Sequence, residues 1–421
     1  MNILFIHQNF PCQFKFLAPA LASQGHTVIG MAPQTTDPQP EITTWEGVKV
    51  LRYPASHVPN GGHPWLEDLS SQVTLGESCF WAMYNLKNEG FTPDIVIAHP
   101  GWGESLFVKD VWPQTKLGIY CEFFYDLEKG DSLFDPEFSK PHPTAAAQIR
   151  LKNLNHSLHL EMSNAGLSPT QWQASTFPTW FQQKIDVIHE GVDTELAKPN
   201  PDVQITISTK DFPELTLNRS HKIVTFVNRN LEPHRGYHIF MRALPHILQT
   251  HPDAWILIIG GQHFSYSGPP DPKTYGNRSW AQIFWDEVRP QIPPKLQKQI
   301  IFLGQVPYHH FISVLQLSTT HVYLTYPFVL SWSLIEAMSI ACPIVASNTP
   351  PLREVIKDQI SGKLVDFFDI HKLAHEVSSL LNDKQQRQYL GHNARSFVLN
   401  HYDKNICLQK QIQWTQKLAD S

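Results

Sequence analysis

Short, wholly apolar runs alternate with longer amphipathic stretches along most of this chain. Ile3 to His7, Thr27 to Met31, Asp94 to Ala98, Leu117 to Cys121, Gly166 to Ser168 and Ile185 to His189 lack the every-other-residue polarity of a half-exposed strand. Continuous apolar runs of that length predict buried parallel strands. Gln13 to Ser23 follows the helical period and stops at Gly25, a common helix terminator. The pattern breaks over Pro199 to Ser220, where three prolines and polar residues surround the brief β-like runs Ile205–Ile207 and Leu215–Leu217. It then restarts. Strands are predicted at Ile223–Val227, Trp255–Ile259, Ile300–Leu303, Val322–Leu324, Pro343–Ala346 and Lys363–Val365, with helices at Tyr237–Thr250 and Ser333–Ile340. Helical patterns at Asp369–Asn382 and Asp383–His401 follow, and Asn405–Leu418 is amphipathic but polar enough to lie on a surface. Pro269–Tyr275 reads as a surface insertion. The expectation is an α/β protein with two Rossmann-like, doubly wound domains: residues 1–198, a connection at 199–220, a second domain at 221–400 and a C-terminal helix at 401–421. Ligands of such sheets sit at the carboxyl ends of the strands.

Composition narrows the class. A length of 421 residues exceeds one ordinary core, and 42% hydrophobic against 17% charged residues suits two globular domains. A net charge of -5 weighs against general binding of nucleic acid. The five cysteines are odd in number and scattered without metal-ligand spacing, as expected of reduced thiols in a cytoplasmic protein. The start, Met1-Asn-Ile-Leu-Phe-Ile-His7, lacks the basic flank of a signal peptide, and the longest apolar runs are too short to span a bilayer. Peripheral contact with the inner membrane face stays open. Among 22 histidines, His309 and His310 cannot chelate from one helix face, and His234 and His238 share a face without an evident third ligand. No metal is expected.

Two segments carry the chemistry. Phe226 to Gly236 sets Arg229 and Arg235 around a strand-to-helix turn, beside Asn228 and Gly236. Tyr323 to Met338 reads as a strand, a loop and a helix start bearing Ser331, Trp332, Ser333, Leu334 and, one turn in, Glu336. Two guanidinium groups and a helix N-terminus form a receptacle for a diphosphate, and a carboxylate beside them can hold a sugar diol. Each has a plainer reading: arginines paired with Glu232 or solvated, serines acting only as helix caps, and a glutamate satisfied within the fold. In the first half, His99, Glu122 and Tyr125 follow predicted strands and should line a cleft, or serve structure alone. The aromatic supply nearby (Trp65, Trp81, Trp102, Phe123, Phe124) would suit sugar rings or a lipid, although such residues are more often core.

These segments, taken in order, resemble the retaining glycosyltransferases of family four, which have the GT-B fold of two facing Rossmann-like domains with the C-terminal helix packing back toward the first. Val187-Ile-His-Glu-Gly-Val-Asp193 is similar to the family's signature before the interdomain connection. Asn228-Arg229 through Arg235-Gly236 resembles its diphosphate segment, and Phe302 to Val306 its nucleobase loop. Leu334-Ile-Glu-Ala-Met338 with Pro343-Ile-Val-Ala346 resembles the helix and strand after the donor site. The resemblance implies transfer of a sugar, with retention, from a nucleotide-sugar (a UDP- or GDP-sugar) to a glycan, glycolipid or small-molecule hydroxyl, as in polysaccharide synthesis. It implies no cofactor or metal. Arg229, Arg235, Glu336, His99 and Glu122 are then the catalytic candidates. Asn228, Gly236, Val306, Phe328, Ser331, Trp332, Ser333 and Leu334 are the candidates for substrate contact.

The sequence also departs from the family. Phe328 stands where the family has a first glutamate, and Asn9-Phe-Pro-Cys12 replaces a glycine pair after the first strand. A family histidine at the end of a middle strand is replaced by Cys121-Glu122. A non-catalytic GT-B protein that binds nucleotide or sugar as a regulatory partner is therefore the alternative. A nicotinamide-dependent oxidoreductase would need a Gly-x-Gly-x-x-Gly turn, which neither Ile3–Phe14 nor Val224–Arg235 contains.

Overall fold

The computed structural model describes residues 1–34, 41–56 and 62–421. It divides into two compact units, Met1–Gly191 with Lys404–Ser421, and Val192–Asp403. The first is built on an eight-stranded sheet in the order β3-β4-β2-β1-β5-β6-β7-β8. Its strands are β1 (Asn2–Ile6), β2 (Thr27–Gln34), β3 (Glu41–Trp45), β4 (Val48–Pro54), β5 (Ile95–Ala98), β6 (Lys116–Tyr120), β7 (Ala165–Ser168) and β8 (Ile185–Val187). Every pairing is parallel except β3 with β4. The helices α1 (Leu17–Ser23) and α2 (Glu67–Asn88) belong to this unit. β1 pairs with β2 on one side and β5 on the other, so the winding reverses there, the place where ligands of such sheets bind.

The second unit begins with an antiparallel hairpin, β9 (Gln204–Ile207) and β10 (Leu215–Asn218), formed by the β-like runs of the segment expected to be the interdomain connection. Val203 and Leu217 are buried in this unit's core, with Ile205, Ile207 and Leu215 packed against it, and that apolar face fixes the segment to the second unit. A six-stranded, wholly parallel sheet follows in the order β13-β12-β11-β14-β15-β16. It comprises β11 (Ile223–Asn230), β12 (Trp255–Gly261), β13 (Ile300–Gly304), β14 (Thr320–Tyr323), β15 (Ile344–Ser347) and β16 (Lys363–Val365). Its main helices are α3 (Tyr237–Thr250), α4 (Trp332–Ser339), α5 (Ile370–Asn382) and α6 (Lys384–His401). The reversal falls between β11 and β14, where both chemistry-bearing segments end.

α7 (Lys404–Asp420) returns the chain to the first unit. The amphipathic tail packs back on the first unit, as the resemblance implied, and buries one face: Trp414 and Leu418 join the core formed by Phe5, Phe14 and Tyr120. Gly118 on β6 makes room for them, since a Cβ there would lie 2.6 Å from both side chains. Among the described residues, no helix is long and apolar enough to cross a membrane.

Candidate functional site

At the carboxyl end of β11 the register against β12 slips between Val227 and Asn230, which leaves Asn228 half-buried and Arg229 exposed. The chain then makes a tight turn at Pro233–Arg235 and enters α3 through Gly236. Gly236 has φ +68°, and a Cβ there would come within 2.3 Å of Leu324 Cβ, so only glycine permits this approach to the end of β14. Glu232 does not pair with a surface arginine. Its carboxylate is buried and accepts the backbone N–H groups of Ser265, Tyr266 and Ser267 at 2.9, 3.1 and 3.1 Å, fastening that loop over the turn.

That loop roofs Arg235. The guanidinium is only 7% exposed; its Nη1 donates to Thr325 Oγ1 at 2.8 Å and Val329 O at 3.2 Å, and it lies 5.1 Å from the centre of the Tyr266 ring. Burial works against its charge, but Tyr323, Tyr266 and Glu232 outweigh burial and raise its pKa. Phe328, 4% exposed, packs edge-on to His234 at 4.7 Å and against Tyr266 at 4.9 Å, with its ring 5.8 Å from the guanidinium. A phenyl ring thus closes a side of the arginine where the family has a carboxylate.

Ser331 caps α4, its hydroxyl accepting from the N–H of Ser333 at 3.3 Å. Glu336, one turn in and 6% exposed, accepts a hydrogen bond from the Tyr308 hydroxyl at 2.7 Å. Burial, and then that carboxylate, raise the Tyr308 pKa. Trp332 is half-buried beside the cap. Of the candidates for substrate contact, Leu334 has its side chain fully buried in the core and Val306 has its side chain packed against that core.

In the first unit, His99 and Glu122 come together past the carboxyl ends of β5 and β6, with His99 Nε2 3.4 Å from Glu122 Oε2. His99 Nδ1 accepts the Gly101 N–H at 3.1 Å, so Nε2 carries the proton that faces the carboxylate. The cluster is larger than the sequence suggested. His7 Nδ1 accepts from the Asn9 N–H at 2.8 Å, its Nε2 bonds Gln13 Oε1 at 2.7 Å, and Gln13 Nε2 donates to Glu122 Oε1 at 3.2 Å. Burial, followed by His99, pushes the His7 pKa down to about 3, so the ring is neutral as this network requires. Burial would raise the Glu122 pKa, but His99, His7 and Gln13 together hold it below the usual carboxylate value. Trp102 packs on both imidazoles, with centroids 4.7 and 5.1 Å away. Tyr125 lies apart from this cluster; its ring carries the Lys152 ammonium at 3.7 Å. Of the other aromatics, Phe123 is buried and Trp81 is exposed on α2.

The position of His7 just past β1, beside the winding reversal, is the signal that would have found it. Gln13 and Tyr308 leave no such mark, because their partners lie on other elements.

Residues 24–197 match the Glycosyl transferase family 4 group, and residues 294–397 match Glycosyl transferases group 1. Each match covers less than half of the chain, and the two regions are similar to these glycosyltransferase families. The D-inositol 3-phosphate glycosyltransferase of Corynebacterium efficiens is 27% identical over 220 residues, 52% of this chain and 47% of that protein. The chain spans about half the length of the first curated relatives it matches. Among solved structures, sucrose-phosphate synthase from Thermosynechococcus elongatus superimposes with a TM-score of 0.71 at 18% identity, each chain covered fully. Anabaena Alr3699/HepE in complex with UDP and glucose gives a TM-score of 0.67 at 14% identity, over 99% of this chain and 100% of that one. At these identities the likeness establishes the fold, which is GT-B.

Proposed function

We propose that this chain transfers a sugar from a UDP-sugar to a hydroxyl of a glycan, glycolipid or small-molecule acceptor, with retention of configuration. The observation that carries the reading is Arg235, a buried guanidinium whose hydrogen bonds go to neutral oxygens, at the winding reversal of a parallel sheet. A buried charge with no carboxylate hydrogen-bonded to it among the described residues favours an anionic ligand. The UDP preference is supported by the UDP found with Alr3699/HepE.

In this reading the diphosphate lies against Arg235, with Arg229 reaching it from the exposed side and the positive end of the α4 dipole facing it. Glu336 receives ribose hydroxyls, sharing the carboxylate with Tyr308. The bond from the anomeric carbon to the phosphate oxygen breaks, and its electron pair stays on the phosphate, where the guanidinium stabilises the developing charge. The acceptor oxygen bonds the anomeric carbon on the same face, and its proton passes to the departing phosphate. This needs neither a protein nucleophile nor a metal. His99, held in one tautomer, and Glu122 orient the acceptor and sugar hydroxyls.

The test is Arg235→Ala assayed by UDP release with a panel of UDP-sugars. Loss of one such contact should lower kcat by about two to three orders of magnitude while circular dichroism is unchanged. Undiminished turnover overturns the assignment. Phe328, buried where the family contacts its sugar, favours one second reading, a nucleotide-binding partner without transferase activity. A rise in melting temperature with UDP but no turnover with any donor selects that reading.

A further inference from the structure

The opposite edge of the second sheet carries a separate cavity of about 480 Å³. Its lining includes residues that immediately precede β14 and β15, so it lies at the amino ends of strands whose carboxyl ends hold the candidate donor site. α6 presents Lys384, Arg387, Gly391 and Arg395 to it at helical spacing, and Arg219 from the segment after β10 completes the wall. Gly391 sets the depth: a Cβ there would lie 2.3 Å from the carbonyl oxygen of Ala341, so only glycine lets α6 approach the end of α4 this closely.

Four cations and no carboxylate line this cavity, in a chain whose net charge is -5. None of the four has a carboxylate within ion-pair distance among the described residues. Arg387 Nη1 donates to the carbonyls of Leu380 and Leu381 at 2.6 and 3.2 Å, Arg395 Nη1 to those of Ser339 and Ala197, and Arg219 Nη1 to Gln316 O at 3.3 Å. Each guanidinium thus engages one terminal nitrogen and keeps its other donors. Burial and the charge of Arg219 act against the protonated form of Arg387, and Asp383 offsets this from outside the cavity. Cations gathered this way, with donors to spare, match phosphate oxygens.

We propose that this cavity binds a phosphate-bearing ligand, either a soluble phosphorylated small molecule or the headgroup of an anionic lipid, at a site separate from the donor site. The size suits either group. Ala341, just past the C-terminal end of α4, lines the cavity, and the opposite end of that helix bears Ser331 and Glu336.

The experiment is calorimetric titration of inorganic pyrophosphate into the wild-type chain, Arg229→Ala and Arg219→Ala/Lys384→Ala, together with co-sedimentation on phosphatidylglycerol vesicles. Both substituted cations of the double variant are exposed, so the variant should keep its melting temperature and basal transfer activity. Pyrophosphate binding that persists in Arg229→Ala and weakens by about tenfold or more in the double variant supports the site. Sedimentation with vesicles that the double variant loses assigns the occupant to a lipid headgroup, and pyrophosphate binding alone assigns it to a soluble phosphate. Binding of both probes unchanged in the double variant, or no binding of either, overturns the proposal. Neither readout uses a donor or acceptor, so the result stands apart from the transferase assignment.

Discussion

Arg229 and Arg235 are six positions apart in one motif, yet they meet different physics. Arg229 is solvated on a strand irregularity, whereas Arg235 is sealed between Tyr266, Phe328 and the Thr325 hydroxyl. Sealing strengthens the attraction for an anion by lowering the local dielectric. Phe328→Ala should therefore do two things: destabilise the second unit by about 3 kcal/mol through loss of a buried ring, and loosen the roof over Arg235. Urea denaturation measures the first and UDP affinity the second. Glu104 offers a cleaner test in the first unit. It is fully buried beside Tyr53 and Cys79, and apart from its own backbone it has no hydrogen-bond partner among the described residues. Burial pushes its carboxyl up to about 7, against the pull of its own N–H. Between the ordinary carboxylate pKa and about 7, the unfolded chain ionises while the folded one keeps its proton, so stability falls as pH rises and stays low above 7. Glu104→Gln should abolish that decline and be more stable at pH 8 by on the order of 3 kcal/mol, with little difference at pH 4.5.

Elements were legible where one face is uniformly apolar. The expected helix Tyr237–Thr250 and strand Lys363–Val365 match the observed bounds. Most other strands differ by a residue or a few at their ends, where pairing partners decide the limit. β3 escaped because an exposed, antiparallel edge strand carries no apolar run, and α2 because its apolar residues divide between the core (Cys79, Met83, Leu86) and the surface (Val73, Trp81, Tyr84). One polar contact ties two correctly read elements together: Lys363 of β16 donates to Glu376 of α5 at 2.6 Å, both side chains being under a tenth exposed. Burial would raise the Glu376 pKa, but Lys363 and Lys372 hold it down to about 2. Glu376→Ala leaves Lys363 buried without its anion and should cost about 3–5 kcal/mol in chemical denaturation.

At the scale of the molecule, the chain crosses between its units twice, after Gly191 and after Asp403. The expected boundaries fell a few residues away from both, and the hairpin at Gln204–Asn218 joined the second core. The return of α7 carries a prediction. Deleting residues 404–421 removes Trp414 and Leu418 from the first core, each worth about 1.5–3 kcal/mol of burial, and exposes β6 around Gly118. Hydrogen exchange should rise across β1 and β6 and stay unchanged in β11, β14 and β15; equal protection of β6 in the truncated chain would refute the helix's role.

Local sequence determined the two doubly wound sheets, the strand-to-helix turn bearing Arg235 and the helix start bearing Glu336, since apolar period, glycine and capping residues act within a few positions. The tertiary structure decided which of those residues face one another. The Tyr308–Glu336 bond, the Glu232 clasp on the loop at 265–267 and the path from His7 through Gln13 to Glu122 each join residues brought together by packing, at sequence separations of 28, 33 to 35, and 109 for the last step. The neighbours that keep Arg235 charged in spite of its burial, and the burial that keeps Glu104 protonated to about pH 7, are properties of the folded surroundings, which no local pattern encodes.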